Sequence, residues 1–221
     1  MICITGDMHA DLDRFKDKRI KKLKRNDALI VCGDFGFLWD GSKKEKRILK
    51  KIGRKRYYTL FVDGCHENFD LLNEYQETNW CGGKVHPISG KLLHLKRGEI
   101  YDIQGKKIFA FGGGHSDDMD IRRYSNTWWE AENPTFDEIN SGKEHLKDND
   151  NTVDYIVTHE PPATIKEFLQ TNDKHLSEMG IFFEDMKKTC KFKTWFFGKY
   201  HINKKISSQY EAMFTNVVVI K

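Results

Sequence analysis

Marking the apolar positions along the chain picks out short β-branched runs that stop abruptly at clusters of Gly, Asp and His. Ile2–Thr5 leads to Gly6-Asp7-Met8-His9, Ala28–Cys32 to Gly33-Asp34, and 57–62 to Asp63-Gly64-Cys65-His66-Glu67-Asn68. Late in the chain, 155–157 leads to Thr158-His159-Glu160-Pro161-Pro162 and Thr194–Phe197 to Gly198-Lys199-Tyr200-His201. These runs do not alternate apolar with polar residues, which predicts strands covered on both faces. In such sheets ligands gather at the carboxyl ends of the strands, so the five clusters are expected to meet in space.

Stretches 14–25 and 43–56 predict helices, and in the second Ile48, Leu49 and Ile52 form an apolar stripe among lysines and arginines. Leu92–Leu95, Glu99–Ile103 and 107–111 read as antiparallel hairpin strands, with Gly105 at one turn. A second mixed sheet, packed on the first, is expected to hold them together with the closing run Val217–Ile220. Residues 134–150 and 163–190 read as helical or looped, with 134–138 a helix start. The expected fold is α/β: a layered α-β-β-α sandwich of two mixed β-sheets flanked by helices. It is expected to form a single domain over residues 1–221, without internal repeat or linker.

Composition narrows the class. With 38% hydrophobic and 32% charged residues the chain is neither a disordered nor a fibrous sequence. The start lacks the pattern of a signal peptide and no apolar run reaches membrane-spanning length, so a cytoplasmic protein without a membrane partner is expected. Five cysteines at irregular spacing, without a C-x-x-C pair, read as reduced thiols, and Cys3 and Cys32 read as core residues. The net charge is only +4, but Lys and Arg concentrate in 14–25 and 43–56. Both a solvated helix face and a nucleic-acid surface fit that pattern.

Asp7-x-His9 sets a carboxylate and an imidazole on one side of an extended segment, able to grip one hard divalent cation. The order Asp-x-His, Gly-Asp, Gly-x-His-Glu, Thr-His and Gly-x-x-His, carried by the five clusters, resembles the signature of the calcineurin-like metallophosphoesterases. The likeness runs through nearly the whole chain. Gly112-Gly113-Gly114-His115-Ser116-Asp117 with Arg122, Trp128 and Trp129 resembles a small bacterial and phage branch of that family.

The resemblance implies that Asp7, His9 and His201 hold a first metal and that Asp34 bridges it to a second, with His159 as a ligand of the second. Two further positions of the second site differ: the family's Asn stands here as Cys65, and the first His of its last motif as Lys199. A protonated lysine has no lone pair for a metal. One expectation is therefore a single firmly bound ion of manganese, zinc or iron, with Lys199 supplying charge beside Asp34 and the substrate phosphate. Another is a Cys65 thiolate that biases the second position towards zinc. A neutral, inert Cys65 is the third.

The implied activity is metal-dependent hydrolysis of a phosphate ester, by a phosphatase or phosphodiesterase acting on a small phosphorylated or nucleotide substrate. Water activated by the cation would attack, and His66 would be the general acid, kept protonated by Asp34 or Glu67. Arg122 and Arg123 read either as a phosphate clamp or as a surface pair beside Asp117, Asp118 and Asp120. His115 is a candidate for the rim of the site, and Trp128 and Trp129 either stack on a nucleobase or pack inside. His86, His94, His145 and His175 receive no function. The competing reading is a catalytically impaired binder of nucleotides or another phosphate-bearing ligand. A nuclease acting on polymers has less behind it, and self-association is compatible with the aromatic residues near the middle of the chain.

Overall fold

The apolar runs form strands because each residue finds a packed surface on whichever side it points. A computed structural model describes residues 1–116, 118–169 and 177–220, so Asp117 and His175 lie outside the described residues. Its strands are β1 (Ile2–Thr5), β2 (Ala28–Cys32), β3 (Tyr58–Val62), β4 (Thr78–Trp80), β5 (Gly83–Ser89), β6 (Leu92–Leu95) and β7 (Glu99–Ile103). They continue with β8 (Lys106–Phe111), β9 (Tyr155–Thr158), β10 (Thr194–Phe197), β11 (Lys204–Lys205), β12 (Tyr210–Ala212) and β13 (Val217–Ile220). The helices are α1 (Lys43–Gly53), α2 (Phe69–Asn73), α3 (Met119–Tyr124), α4 (Phe136–Asp148), α5 (Ala163–Phe168) and α6 (Glu178–Thr189).

Two mixed sheets face one another, in the orders β13-β1-β2-β3-β6-β5-β4 and β11-β12-β10-β9-β8-β7. Between them lies one core layer in which Ile2, Ile4, Ile30 and Leu60 of the first sheet meet Ile108, Ala110, Val157 and Phe196 of the second. The alternate residues point outward. Cys3, Leu29, Val31 and Phe61 pack under Leu49 and Ile52 of α1, while Phe109, Ile156, Trp195 and Phe197 pack under α4, α5 and α6. This is the α-β-β-α sandwich, and the double burial explains why the strands lack alternation.

Three expectations need correction. Leu92–Leu95 and Val217–Ile220 belong to the first sheet, paired with β3 and β1, and only β7 and β8 of the predicted group join the second. Strands β9 and β10 continue the second sheet in parallel with β8, and β12 and β11 follow them. Stretch 14–25 is not a continuous helix but two short 3-10 turns, Leu12–Lys16 and Ile20–Lys22. Tertiary bonding overrides the helical pattern there: Arg14 donates to the carbonyls of Asp7 and Phe214 and, at 2.8 Å, to Thr5 Oγ1, and Arg19 donates to the Val217 carbonyl. Helix α1 does form, capped by Ser42, whose hydroxyl accepts from Glu45 N at 3.1 Å. Its Lys43, Lys44, Lys46, Arg47, Lys50 and Lys51 are exposed, as for a solvated face.

The layers are tied near the loops that follow β3 and β8 by a buried ionic cluster. Asp63 Oδ2 accepts from Arg97 Nε at 2.9 Å and from Nη2 at 2.6 Å, and Asp63 Oδ1 lies 2.9 Å from His94 Nε2. Arg97 also donates to Glu138 on α4 at 3.0 Å, and the Asp63 carbonyl accepts from Gly113 N at 3.0 Å. Burial pushes the Asp63 carboxyl up, but Arg97 and His94 outweigh it and hold it well below the ordinary carboxylate range. The contribution of a carboxylate with a depressed pKa is present above its unfolded value and is lost as pH falls through the folded one. Arg97→Met should therefore cost about 3–5 kcal/mol in urea unfolding at neutral pH, because it leaves Asp63 uncompensated. It should also flatten the acid limb of the stability profile. A loss below about 1 kcal/mol would show that the cluster does not tie the layers.

Candidate metal centre

β1, β2 and β3 run parallel in one sheet, and β8, β9 and β10 run parallel in the other. Chemistry-bearing loops leave the carboxyl ends of all six: the five that carry the predicted clusters converge, and the loop after β8 joins them through His115 and Ser116. Asp7, His9, Asp34 and His201 each bring one ligand atom into a group whose members all lie within 4.8 Å of one another. Asp7 and Asp34 are buried, while His9 and His201 face solvent. His201 Nε2 is 3.2 Å from Asp7 Oδ2, and His9 Nε2 is 3.8 Å from Asp34 Oδ2.

Two observations fit this group to a divalent cation. The Nε2 atoms of His9 and His201 face one another at 2.8 Å. Asp7 Oδ2 is buried and has no hydrogen bond of acceptable geometry. Facing ring nitrogens must share a proton or oppose their lone pairs, and an orphaned buried carboxylate oxygen is costly. A cation among two carboxylate oxygens and two imidazole nitrogens satisfies all four, and the donor set suits manganese, iron or zinc.

The backbone is bent to make this possible. His9, Asp34 and His201 lie in the left-handed region, with φ of 44°, 43° and 50°, and Lys199 joins them at 68°. Side chains other than Gly rarely adopt that conformation, and it concentrates at functional sites. Glycines permit the close packing: a methyl at Gly198 would overlap the Asp7 carboxylate, and one at Gly64 would overlap that of Asp34.

Asp34 is the most connected ligand. Its Oδ1 accepts from Cys65 N at 2.7 Å and His66 N at 2.8 Å, and its Oδ2 lies 2.9 Å from His66 Nδ1. Burial works against its charge, yet His159 and His66 outweigh burial and hold the carboxyl well below the usual range. The hydrogen bond to Asp34 in turn raises the pKa of His66 above the ordinary imidazole value. Glu67 is directed elsewhere, accepting from Phe35 N at 2.9 Å. Beneath the group, His159 is buried, with Nε2 at 3.6 Å from Asp34 Oδ1 and Nδ1 at 3.8 Å from Asp7 Oδ1.

The two altered positions touch one another. Lys199 Nζ is 3.9 Å from Cys65 Sγ, 3.0 Å from Glu160 Oε1, and donates to the His115 carbonyl. Burial disfavours charge on Lys199, but the ion pair with Glu160 outweighs it and raises the ammonium above the ordinary lysine value. Burial likewise raises the Cys65 thiol far above its ordinary value, against the pull of Lys199.

An open cleft of about 230 Å³ lies over these groups, lined by Asp34, Cys65, His66, His115, Ser116, Asp118, His159, Lys199 and His201. His115 thus sits at the cleft. Arg122 does not: it is buried, and its guanidinium is held by Glu132 at 2.5 Å, Ser116 Oγ at 2.6 Å and the Cys65 carbonyl at 2.7 Å. Arg123 lies over the Trp128 ring at 4.1 Å, and Trp129 packs edge-on against Trp39 and donates to Asp70. Glu160 and Lys166, which complete the surroundings of Lys199, were missed in the sequence. The dipeptide His159-Glu160 gave a positional hint for the first, but nothing local marks Lys166.

Comparison with known proteins agrees with this geometry. The profile described as calcineurin-like phosphoesterase matches residues 1–201. The chain belongs to the calcineurin-like phosphoesterase family. A search of curated proteins by sequence finds no match. Among the described residues no helix is long and apolar enough to cross a membrane. The family's chemistry is metal-dependent phosphoester hydrolysis, and the four-residue group is the candidate site for its divalent ion.

A ligand that binds only the folded state stabilises it, by about 2.7 kcal/mol at one hundred times its dissociation constant. Added manganese should therefore raise the melting temperature of the wild-type protein. Asp7→Asn and His201→Ala should each abolish the rise while retaining the far-ultraviolet circular dichroism spectrum. An undiminished rise in both variants would move the metal to other residues.

Proposed function

We propose that the protein hydrolyses a small phosphate ester or nucleotide with one divalent ion, held by Asp7, His9, Asp34 and His201. The observation that carries this reading is the convergence of those four ligand atoms beside an open cleft. When bound, such an ion polarises a phosphoryl oxygen and lowers the pKa of water. The chain's own residues do the rest. Asp34 orients His66 through the 2.9 Å contact to Nδ1 and favours its protonated form, so that its second N–H, on Nε2, can serve the departing oxygen.

Lys199 takes the charge of the second metal position in this reading. It is buried and ion-paired, and offers no lone pair. The Cys65 sulfur is buried and has the Lys199 ammonium 3.9 Å away, a cation where a second metal would stand, which weighs against the zinc-thiolate alternative. His159 then acts chiefly as a neighbour that supports the charge of Asp34.

A non-catalytic binder is the second reading, and the contact between Cys65 and Lys199 favours it, because both changes fall at one point. The two separate in an activity screen of aryl phosphomonoesters and phosphodiesters with manganese, zinc or iron. Turnover by the wild-type protein supports the hydrolase. Turnover only after Cys65→Asn combined with Lys199→His supports the binder. His66→Asn should lower turnover about 10²- to 10⁴-fold while leaving metal content intact, as loss of a general acid does. Unchanged turnover would remove His66 from the mechanism.

A further inference from the structure

The charge stored under the cleft differs from that of a second metal ion, and this bears on which phosphate ester fits. Two buried ammonium groups share one buried carboxylate: Lys199 Nζ is 3.0 Å from Glu160 Oε1, and Lys166 Nζ is 2.6 Å from Glu160 Oε2. All three side chains are at least nine-tenths buried. His115 N also donates to Glu160 Oε1 at 2.6 Å, which fixes the carboxylate in the ionised form. The trio therefore carries a single net positive charge, where a divalent ion would bring two. Among the described residues lining the cleft Lys199 is the one permanent cation, since Arg122 is turned away to Glu132. The exposed carboxylate of Asp118 stands on the cleft wall and subtracts from the field.

Phosphomonoesters are largely dianions at neutral pH, because their second pKa is about 6, whereas diesters stay monoanionic. In a partly desolvated cleft an uncompensated charge is expensive. We propose that Lys199, compensated through Glu160 and Lys166, together with Asp118, makes the cleft select monoanionic phosphodiesters over dianionic phosphomonoesters. This rests on the phosphoester reading above and names its substrate class.

Phenyl phosphate and methyl phenyl phosphate differ by one methyl group and one charge. Both are titrated by calorimetry at pH 8 into the manganese-loaded His66→Asn protein, whose slowed turnover lets binding be read. The diester should bind about tenfold more tightly or better. Cys65→Asn combined with Lys199→His should reverse that order. Asp118→Asn, an exposed change that leaves the fold intact, should narrow the preference by strengthening phenyl phosphate binding. Equal binding of the two ligands, or tighter binding of phenyl phosphate, by the His66→Asn protein with Cys65, Lys199 and Asp118 unchanged would overturn the selection and leave the phosphoester reading standing. Binding of neither would overturn both. A diester preference unaltered in the folded Lys199 and Asp118 variants would overturn the assignment to these residues.

Discussion

Two buried carboxylates, Asp7 and Asp34, sit in the loops at the ends of adjacent parallel strands, and the cost of keeping them charged organises the surroundings. A buried charge must be paired, hydrogen-bonded or given to a metal. Asp34 is answered by two backbone amides, His66 and His159. Asp7 is answered less fully: Lys199 N donates to Oδ1 at 3.2 Å, and Oδ2 is left for His201 and a cation. The left-handed backbone at His9, Asp34 and His201 and the glycines at 64 and 198 follow from fitting so many groups around these oxygens.

The second half of the site obeys the same constraint with different chemistry. Lys199, Glu160 and Lys166 form a buried chain of charges that is permanent and cannot be chelated away. In the proposed account this fixed cation lowers the local positive charge relative to a metal pair and leaves the cleft suited to weaker anions. Arg122 contributes from behind, holding the Cys65 carbonyl and the Glu132 carboxylate, and so steadies the loop that carries His66.

Much of this was legible in the sequence because the strands are covered on both faces and end at their chemistry. The apolar runs gave β1, β2, β3, β9 and β10 to within a residue, and the clusters after them gave the four residues that converge. Sheet membership was not legible, since the apolar runs Leu92–Leu95 and Val217–Ile220 suit either sheet and only long-range pairing decides. The strands β4, β5 and β12, at or next to a sheet edge, escaped because their residues are polar or interrupted. Arg14 read as part of a solvated or nucleic-acid-binding helix face, and Arg122 as a phosphate clamp or a surface charge. Each is folded inward by partners distant in sequence, Phe214 for the first and Cys65 for the second, which no local pattern reveals.

The central claim is that one ion site is complete and the other is filled by a lysine ammonium. Metal content per chain tests it most directly, by elemental analysis after reconstitution with excess manganese or zinc and removal of loosely bound ions. The account predicts one tightly held ion in the wild-type protein and two after Cys65→Asn combined with Lys199→His. Two tightly held ions in the wild-type protein would contradict it.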